Sequence, residues 1–322
     1  VKSTRVGDVA DEKRVITILG VTASGKGTLA RALARHVGAE IISLDSMKVY
    51  RGMDIGTAKP SVKVRGGITH HLIDVVDPCE PFSVARFVEL ADRAIEETHA
   101  RGRPAIAVGG TLLYFKCWYA GLFEGPGADP DFRKALRARA ASEGLDRLHA
   151  ELAAVDPAAA QRIHRNDLRR IERALEVHHL TGRSISDLQR EWAAGGPRRA
   201  DWCWTLIGLR RKREEANRRI NLRVKRMLAA GLVEEARRIW ADPRGVSRQA
   251  SQAVGYAELY EHFEGGLSLE EAVEQIKIHT RRLAKQQRTW LKTLADVRWL
   301  DADGVDDTAE LLPRALELVE QA

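Results

Sequence analysis

The chain has 322 residues, 44% hydrophobic and 30% charged, with 52 Lys and Arg against 45 Asp and Glu and a formal net charge of +7. This is an ordinary globular composition, long enough for one large domain or two smaller ones. No apolar run approaches the roughly 18 residues that span a bilayer, and Cys79, Cys117 and Cys203 are too scattered for a disulfide framework or a zinc cluster. We therefore expect no membrane, a reducing cytoplasm and, from the excess of base, a polyanionic partner.

Residues 1–13 are polar and lack the apolar stretch of a signal peptide, so a loose tail is expected there. Val15 to Leu19 is apolar and β-branched, which predicts a buried strand. Gly20 opens a loop that Gly25 and Lys26 close, and helical spacing continues through Leu29 to Leu33. Strand, glycine-rich loop and helix in that order make a phosphate cradle. Backbone N–H groups and the positive end of the helix face an anion, and Lys26 adds a point charge. The general pattern is G-x-x-x-x-G-K-[ST]. Gly27 stands in its last slot and has no hydroxyl for Mg²⁺, while Thr28 comes one residue late.

Glu40 to Leu44 predicts a second strand, ending at Asp45 and Ser46, and residues 51–60 a polar surface loop. His70 to Val76 predicts a third strand, Val84 to Arg101 an amphipathic helix, and Pro104 to Val108 a fourth strand followed by Gly109, Gly110 and Thr111. Leu112 to Tyr119 resumes a helix. This alternation implies an α/β fold, a mainly parallel sheet flanked by helices. Ligands of such sheets sit beyond the carboxyl ends of the strands, so the phosphate loop, Asp45–Ser46 and Thr111 should meet at one cleft. Asp45 there is a proton acceptor, a holder of Mg²⁺ through water or a cap of the next turn; Thr111 is a phosphate donor, a helix cap or both. His70 and His71 are adjacent on a strand and point to opposite faces, which argues against a shared metal.

Residues 122–130 read as a hinge. Only helical patterns follow: 133–143, 145–155, 157–163, 168–180 and 186–192, rich in arginine, closed by Gly195, Gly196 and Pro197. A strand at 202–209 returns to the sheet. Helices at 211–230, 232–240 and 268–294, a strand at 297–300 and a helix at 308–320 complete the chain, with Ser268 and Glu271 forming a capping box. The boundaries so drawn are a first core part at 14–124, a helical insertion at 125–200 and a second core part at 201–322. The tryptophans at 202, 204, 240, 290 and 299 are expected in the core.

Three stretches, GVTASGKG (20–27), IISLDSMKVYRGMDIGTAKP (41–60) and VGGTLLYFKCWYAGL (108–122), resemble the tRNA dimethylallyltransferase family, also called tRNA isopentenyltransferases. The likeness continues through residues 160–186, AVGYAEL (253–259) and TRRLAKQQRTWLK (280–292). The resemblance implies a P-loop NTPase-like core with an all-helical insertion that grips the anticodon stem-loop of tRNA, and a monomer. It implies transfer of a dimethylallyl group from dimethylallyl diphosphate to N6 of the adenine 3′ of the anticodon, in tRNAs reading codons that begin with U. Asp45 is then the general base, with Lys26 and Thr111 beside it. Gly20, Thr22, Ala23, Ser24, Gly25, Lys26, Gly27, Thr28 and Arg281 hold the diphosphate with Mg²⁺, for which Thr28 is the candidate protein ligand. Asp45, Ser46, Met47, Lys48, Thr111, Arg133, Gln161, Arg162, Ile163, His164, Arg165, Gly255 and Tyr256 contact tRNA.

The chain departs from the family pattern at Val21, Gly27, Leu112 and Gln286. Three other readings stay open. GKGT also ends the phosphate loop of nucleotide kinases, related transferases act on free adenine nucleotides, and a silent tRNA-binding protein would tolerate Gly27.

Overall fold

The computed structural model describes residues 13–121, 125–194 and 202–321. The chain divides into two compact units, Val1–Trp118 with Asp201–Ala322, and Tyr119–Ala200. Residues 1–12 of the expected tail at 1–13, residues 122–124 of the hinge and residues 195–201 with the glycine-rich closure lie outside the described residues, while Lys13 belongs to the first strand.

The first unit is built on a six-stranded sheet: β1 (Lys13–Gly20), β2 (Glu40–Leu44), β3 (His70–His71), β4 (Ala105–Gly109), β5 (Trp202–Arg210) and β6 (Arg298–Asp301). The spatial order is β3-β2-β4-β1-β5-β6 and every pair is parallel. Parallel strands need crossover connections, and the helices α1 (Lys26–Val37), α2 (Val62–Arg65), α3 (Val84–Ala100) and α4 (Leu112–Tyr119) lie in those of the first half. Val15, Ile18, Leu19, Ile42, Leu44 and Ile106 are almost fully buried, as strands covered on both faces require. The chain leaves β1 for β2, returns to β4 between them, and later places β5 on the other side of β1. The order therefore reverses between β1 and β4, and a crevice opens beyond their carboxyl ends.

The third strand is shorter than its apolar pattern predicts. Leu72 and Asp74 have φ of 60° and 58°, a left-handed backbone that ends the pleat. The turn is held by Asp74, which receives Lys59 Nζ at 2.6 Å and Arg65 Nη2 at 3.3 Å. Val76 rejoins only as an isolated bridge to Tyr50.

The second unit consists of α5 (Pro130–Glu143), α6 (Leu145–Val155), α7 (Pro157–Arg162), α8 (Leu168–Thr181) and α9 (Ile185–Ala194). It has its own core, in which Leu136, Leu148, Leu152, Ile171 and Leu175 pack together, the mark of an autonomous unit. Asp129, Asp156 and Asp167 cap three of its helices by accepting backbone N–H bonds. After β5 the first unit resumes with α10 (Arg213–Ala229), α11 (Leu232–Trp240), α12 (Tyr256–Phe263), α13 (Leu269–Leu291) and α14 (Leu312–Glu320). The capping box of Ser268 and Glu271 is formed. No helix among the described residues is long and apolar enough to cross a membrane.

Two tryptophans correct the expectation that all are core: Trp240 is 39% and Trp290 37% exposed. Trp240 packs against Phe263, and Trp290 lines the crevice described next. The paired histidines have structural partners. His71 Nε2 lies 2.6 Å from Glu40, and His70 Nδ1 lies 2.9 Å from the Ile68 carbonyl. Burial opposes the charge on Glu40, but hydrogen bonds from Arg101 and His71 overcome it and hold the carboxyl at about 2.

Candidate active site

The crevice is a cavity of about 530 Å³ within the first unit. Its wall includes the phosphate loop, Asp45, Ser46, Met47 and Lys48 after β2, Thr111 after β4, and one face of α10 and α13. Leu113, Ile276, Leu283 and Trp290 add an apolar stretch of the same wall.

The loop is held from outside. Its carbonyl oxygens at Val21, Ala23, Ser24 and Gly25 accept from Lys26 Nζ (3.1 Å), Arg219 Nε (3.2 Å), Arg211 Nε (2.9 Å) and Thr308 Oγ1 (2.7 Å). With those carbonyls engaged, the loop is free to present amides and the start of α1 to the cavity. The shape needs a glycine at 25 twice over. Its φ is +97°, and a Cβ there would come within 2.4 Å of Thr308. Ala23 is also left-handed, at φ 62°, and the surrounding hydrogen bonds hold that strain. Gly109 serves a different need: a Cβ would strike the Leu44 carbonyl at 2.0 Å, so β2 and β4 can close together only over a glycine.

Lys26 lines the cavity and its charge is costly. Burial, with the fields of Lys48 and Arg223 against a smaller pull from Asp45, lowers its pKa to about 7. Burial also lowers the pKa of Lys48 and of Arg223, and Asp45 raises both. Three cations thus crowd one carboxylate, an arrangement suited to an anion in electrostatic terms. Asp45 itself combines two roles. Oδ1 accepts the amides of Met47 (3.0 Å) and Lys48 (3.3 Å), the turn-capping role. Among the described residues Oδ2 meets one cation, Lys48 Nζ, at 3.9 Å, and the side chain remains 28% exposed. Thr111 Oγ1 accepts the Ser46 amide at 3.1 Å and donates to Ser46 Oγ at 3.4 Å, so it joins the ends of β2 and β4.

Three contributors escape a reading of the sequence. Gln287 on α13 accepts the Thr22 amide at 2.7 Å and donates to the Gly110 carbonyl at 2.9 Å, clamping the phosphate loop to the β4 turn. Arg223 on α10 reaches Thr22 Oγ1 at 3.4 Å. Glu235 on α11 accepts the amides of Asp54, Ile55 and Gly56 within 3.1 Å and the Tyr256 hydroxyl at 2.5 Å, fixing the loop after Asp45. The available signals were Gln286–Gln287 standing uncharged in a basic helix and Arg211, Arg219 and Arg223 spaced by eight and four.

The other expected site residues divide. Gly25, Lys26, Gly27, Thr28, Asp45, Ser46, Met47, Lys48, Thr111 and Gly255 all line the cavity, as do Thr22 and Ala23. Gly20 and Ser24 support the loop from behind: a Cβ on Gly20 would lie 2.8 Å from the buried Ser24 Oγ. Arg281 is not in the cavity wall; it donates to Asn221 Oδ1 at 3.4 Å. Tyr256 is a correction to its expected place at a tRNA surface, because it is fully buried with its hydroxyl on Glu235. In the second unit, Gln161, Arg162, His164 and Arg165 are exposed around the end of α7, with Ile163 half-buried on the helical core. Arg162 reaches Ser186 Oγ at 2.9 Å and Arg165 lies 3.6 Å from Asp146. Arg133, expected to contact tRNA, is ion-paired within the second unit. Two of its nitrogens sit 2.7 Å from the buried Glu176 carboxylate, which makes it a strut between α5 and α8.

A magnesium site does not assemble from these donors. Gly27 offers no hydroxyl, and the Thr28 hydroxyl already accepts from the positively charged Arg31 Nη2 at 3.4 Å. Among the described residues no three His, Cys, Asp or Glu side chains are grouped to hold a metal. The expected role of Thr28 as metal ligand is therefore not supported by its surroundings.

A family model described as IPP transferase matches residues 48–294, and one described as isopentenyl transferase matches residues 13–73. The tRNA dimethylallyltransferase of Geobacillus kaustophilus is 48% identical over 291 residues, 90% of this chain and 90% of that protein. Its counterpart in Geobacter metallireducens is 46% identical over 299 residues, 92% of this chain and 96% of that protein. Among solved structures, a tRNA isopentenylpyrophosphate transferase from Bacillus halodurans is 40% identical with a TM-score of 0.70, covering 96% of this chain and 97% of that one. A eukaryotic dimethylallyltransferase acting on tRNA gives a TM-score of 0.80 at 28% identity, covering 96% of this chain and 79% of that one. With a matching model over most of its length and relatives near half identical, the chain belongs to the IPP transferase family.

Proposed function

We propose that this transferase moves a dimethylallyl group from dimethylallyl diphosphate to the exocyclic N6 of the adenine 3′ of the anticodon, position 37, in tRNAs reading codons that begin with U. The product is N6-isopentenyladenosine. The reading rests above all on one observation: a phosphate loop with Lys26 and a partly open carboxylate, Asp45, line the same cavity.

The reaction follows from those groups. The diphosphate lies on the loop, where Lys26, Lys48 and Arg223 stabilise its charge. The adenine leaves the anticodon-loop stack and enters the cavity. Its N6 lone pair forms a bond to C1 of the dimethylallyl group as the C1–O bond breaks, and that electron pair departs with the diphosphate. The N6 proton passes to Asp45, whose Oδ2 is the oxygen not engaged by backbone amides. Stabilising the leaving charge in a preorganised site supplies the largest part of such an acceleration. Mg²⁺, which the family resemblance implies, has no ligand set of the protein's own here, and we assign it no step. In the helical unit, the exposed turn at Gln161 to Arg165 supports an anticodon stem-loop contact.

The test is incubation with dimethylallyl diphosphate and an anticodon stem-loop carrying three adenines on its 3′ side. Mass analysis should show one added C5 unit, and Asp45→Asn should slow the transfer by roughly 10²–10⁴, the usual worth of a general base. Transfer to free AMP but not to the stem-loop, or γ-phosphate transfer from ATP, would overturn the reading.

A further inference from the structure

Gly27 and Arg31 are one helical turn apart on α1, so they share a face, and helical side chains lean toward the N-terminus. The Arg31 guanidinium accordingly descends onto the loop. A Cβ built at position 27 would lie 3.3 Å from Arg31 Nη1, tighter than ordinary contact. Arg31 Nη2 donates to Thr28 Oγ1 at 3.4 Å, and Arg31 lines the same cavity wall as Lys26 and Lys48. Among the described residues no carboxylate comes within ion-pairing distance of it. Arg35 and Lys48 repel it, Asp307 attracts it, and its charge disfavours protonation of His70. The glycine that removes the loop's hydroxyl therefore also leaves Arg31 Nη1 undisturbed beside the loop, a cation with no ion-paired carboxylate among the described residues.

We propose that Arg31 is the cation that neutralises the bound diphosphate at this loop, in the place a loop-held Mg²⁺ would take, with Gly27 as the residue that admits it. This rests on the diphosphate site proposed above. A guanidinium suits that role because it is always charged and its planar fork meets two phosphate oxygens at once.

The experiment is calorimetric binding of inorganic diphosphate to the full chain, in EDTA and in Mg²⁺. The wild type should bind in EDTA. Arg31→Ala should weaken that binding roughly tenfold or more, the loss of a charge-assisted pair, and alanine is a good helix former, so the fold should persist. The double variant Gly27→Thr with Arg31→Ala should bind only with Mg²⁺. Wild-type binding that needs Mg²⁺, or an Arg31→Ala protein that binds like wild type in EDTA, overturns the proposal. Lys26→Met separates the two levels. If it abolishes binding while Arg31→Ala does not, the diphosphate site stands and Arg31 has no part in it. If no diphosphate binds to wild type under either condition, the site itself is wrong.

Discussion

Replacing Lys26 by Met should abolish diphosphate binding and yet make the empty protein more stable. The ammonium is held at about 7 by burial and by Lys48 and Arg223. A fall from 10.5 to about 7 amounts to roughly 5 kcal/mol at 1.36 kcal/mol per pH unit. Lys26 is only half-buried, so solvent screening trims this to about 2–3 kcal/mol. The sign is fixed by which state binds the proton. Below pH 7 the lysine is charged in both states, and the folded state carries the whole cost. Between pH 7 and 10.5 the unfolded chain holds the extra proton, so the cost fades as pH rises, and above 10.5 it is gone. Met is close to isosteric and carries no charge. Denaturant unfolding in a buffer free of phosphate and sulfate should show Lys26→Met stabilised at pH 6.5, with the advantage shrinking by pH 9.5. A variant less stable than wild type at pH 6.5, or an advantage that ignores pH, would refute the idea that Lys26 carries a cost of burial and of neighbouring cations that a bound anion relieves.

Two further outcomes follow. Gln287→Ala should cost about 1–2 kcal/mol for its two hydrogen bonds and raise KM for dimethylallyl diphosphate more than that for the stem-loop, read by denaturant unfolding and steady-state kinetics. Glu235→Gln places an amide NH₂ among three backbone donors and should lower stability by about 2–4 kcal/mol, with Tyr256→Phe costing about 1–3 kcal/mol through the one bond it removes, both measured by thermal unfolding.

The sheet and the loop were legible because their signals are local. A β-branched run, a glycine at the required spacing and a helical stripe sit within residues 15–33, and β1 and α1 form there. Asp45 and Thr111 were legible for a topological reason: each follows a parallel strand, and the pairing of β2 with β4 brings both ends together. The third strand was misjudged because its end is decided by Lys59, Asp74 and Arg65, not by the apolar run itself. Tyr256 was misplaced, and the pairing of Arg133 unforeseen, for the same kind of reason. A motif fixes residue types, whereas whether a ring or guanidinium faces solvent depends on Glu235 or Glu176, which pack against it.

The phosphate loop shows why local motif and remote framework cannot be separated here. Residues 20–28 contain the glycines and the lysine, and Lys26 Nζ engages the Val21 carbonyl from within, but the side-chain bonds to the Ala23, Ser24 and Gly25 carbonyls come from far along the chain. Arg211, Arg219 and Thr308 donate to those carbonyls from 187, 196 and 283 residues away, and Gln287, 265 residues away, accepts the Thr22 amide. Each is a polar or charged residue that composition alone assigns to a solvated face. Arg211 is 5% exposed and also donates to the Val305 carbonyl at 2.6 Å, so it holds the loop and the segment after β6 together. A site that must stabilise charge at the instant a bond breaks needs its dipoles fixed beforehand. In this chain that fixing is done by the C-terminal half. The basic residues there, which a sequence reading counts as a diffuse field for nucleic acid, thus include several whose work is to hold the loop in shape.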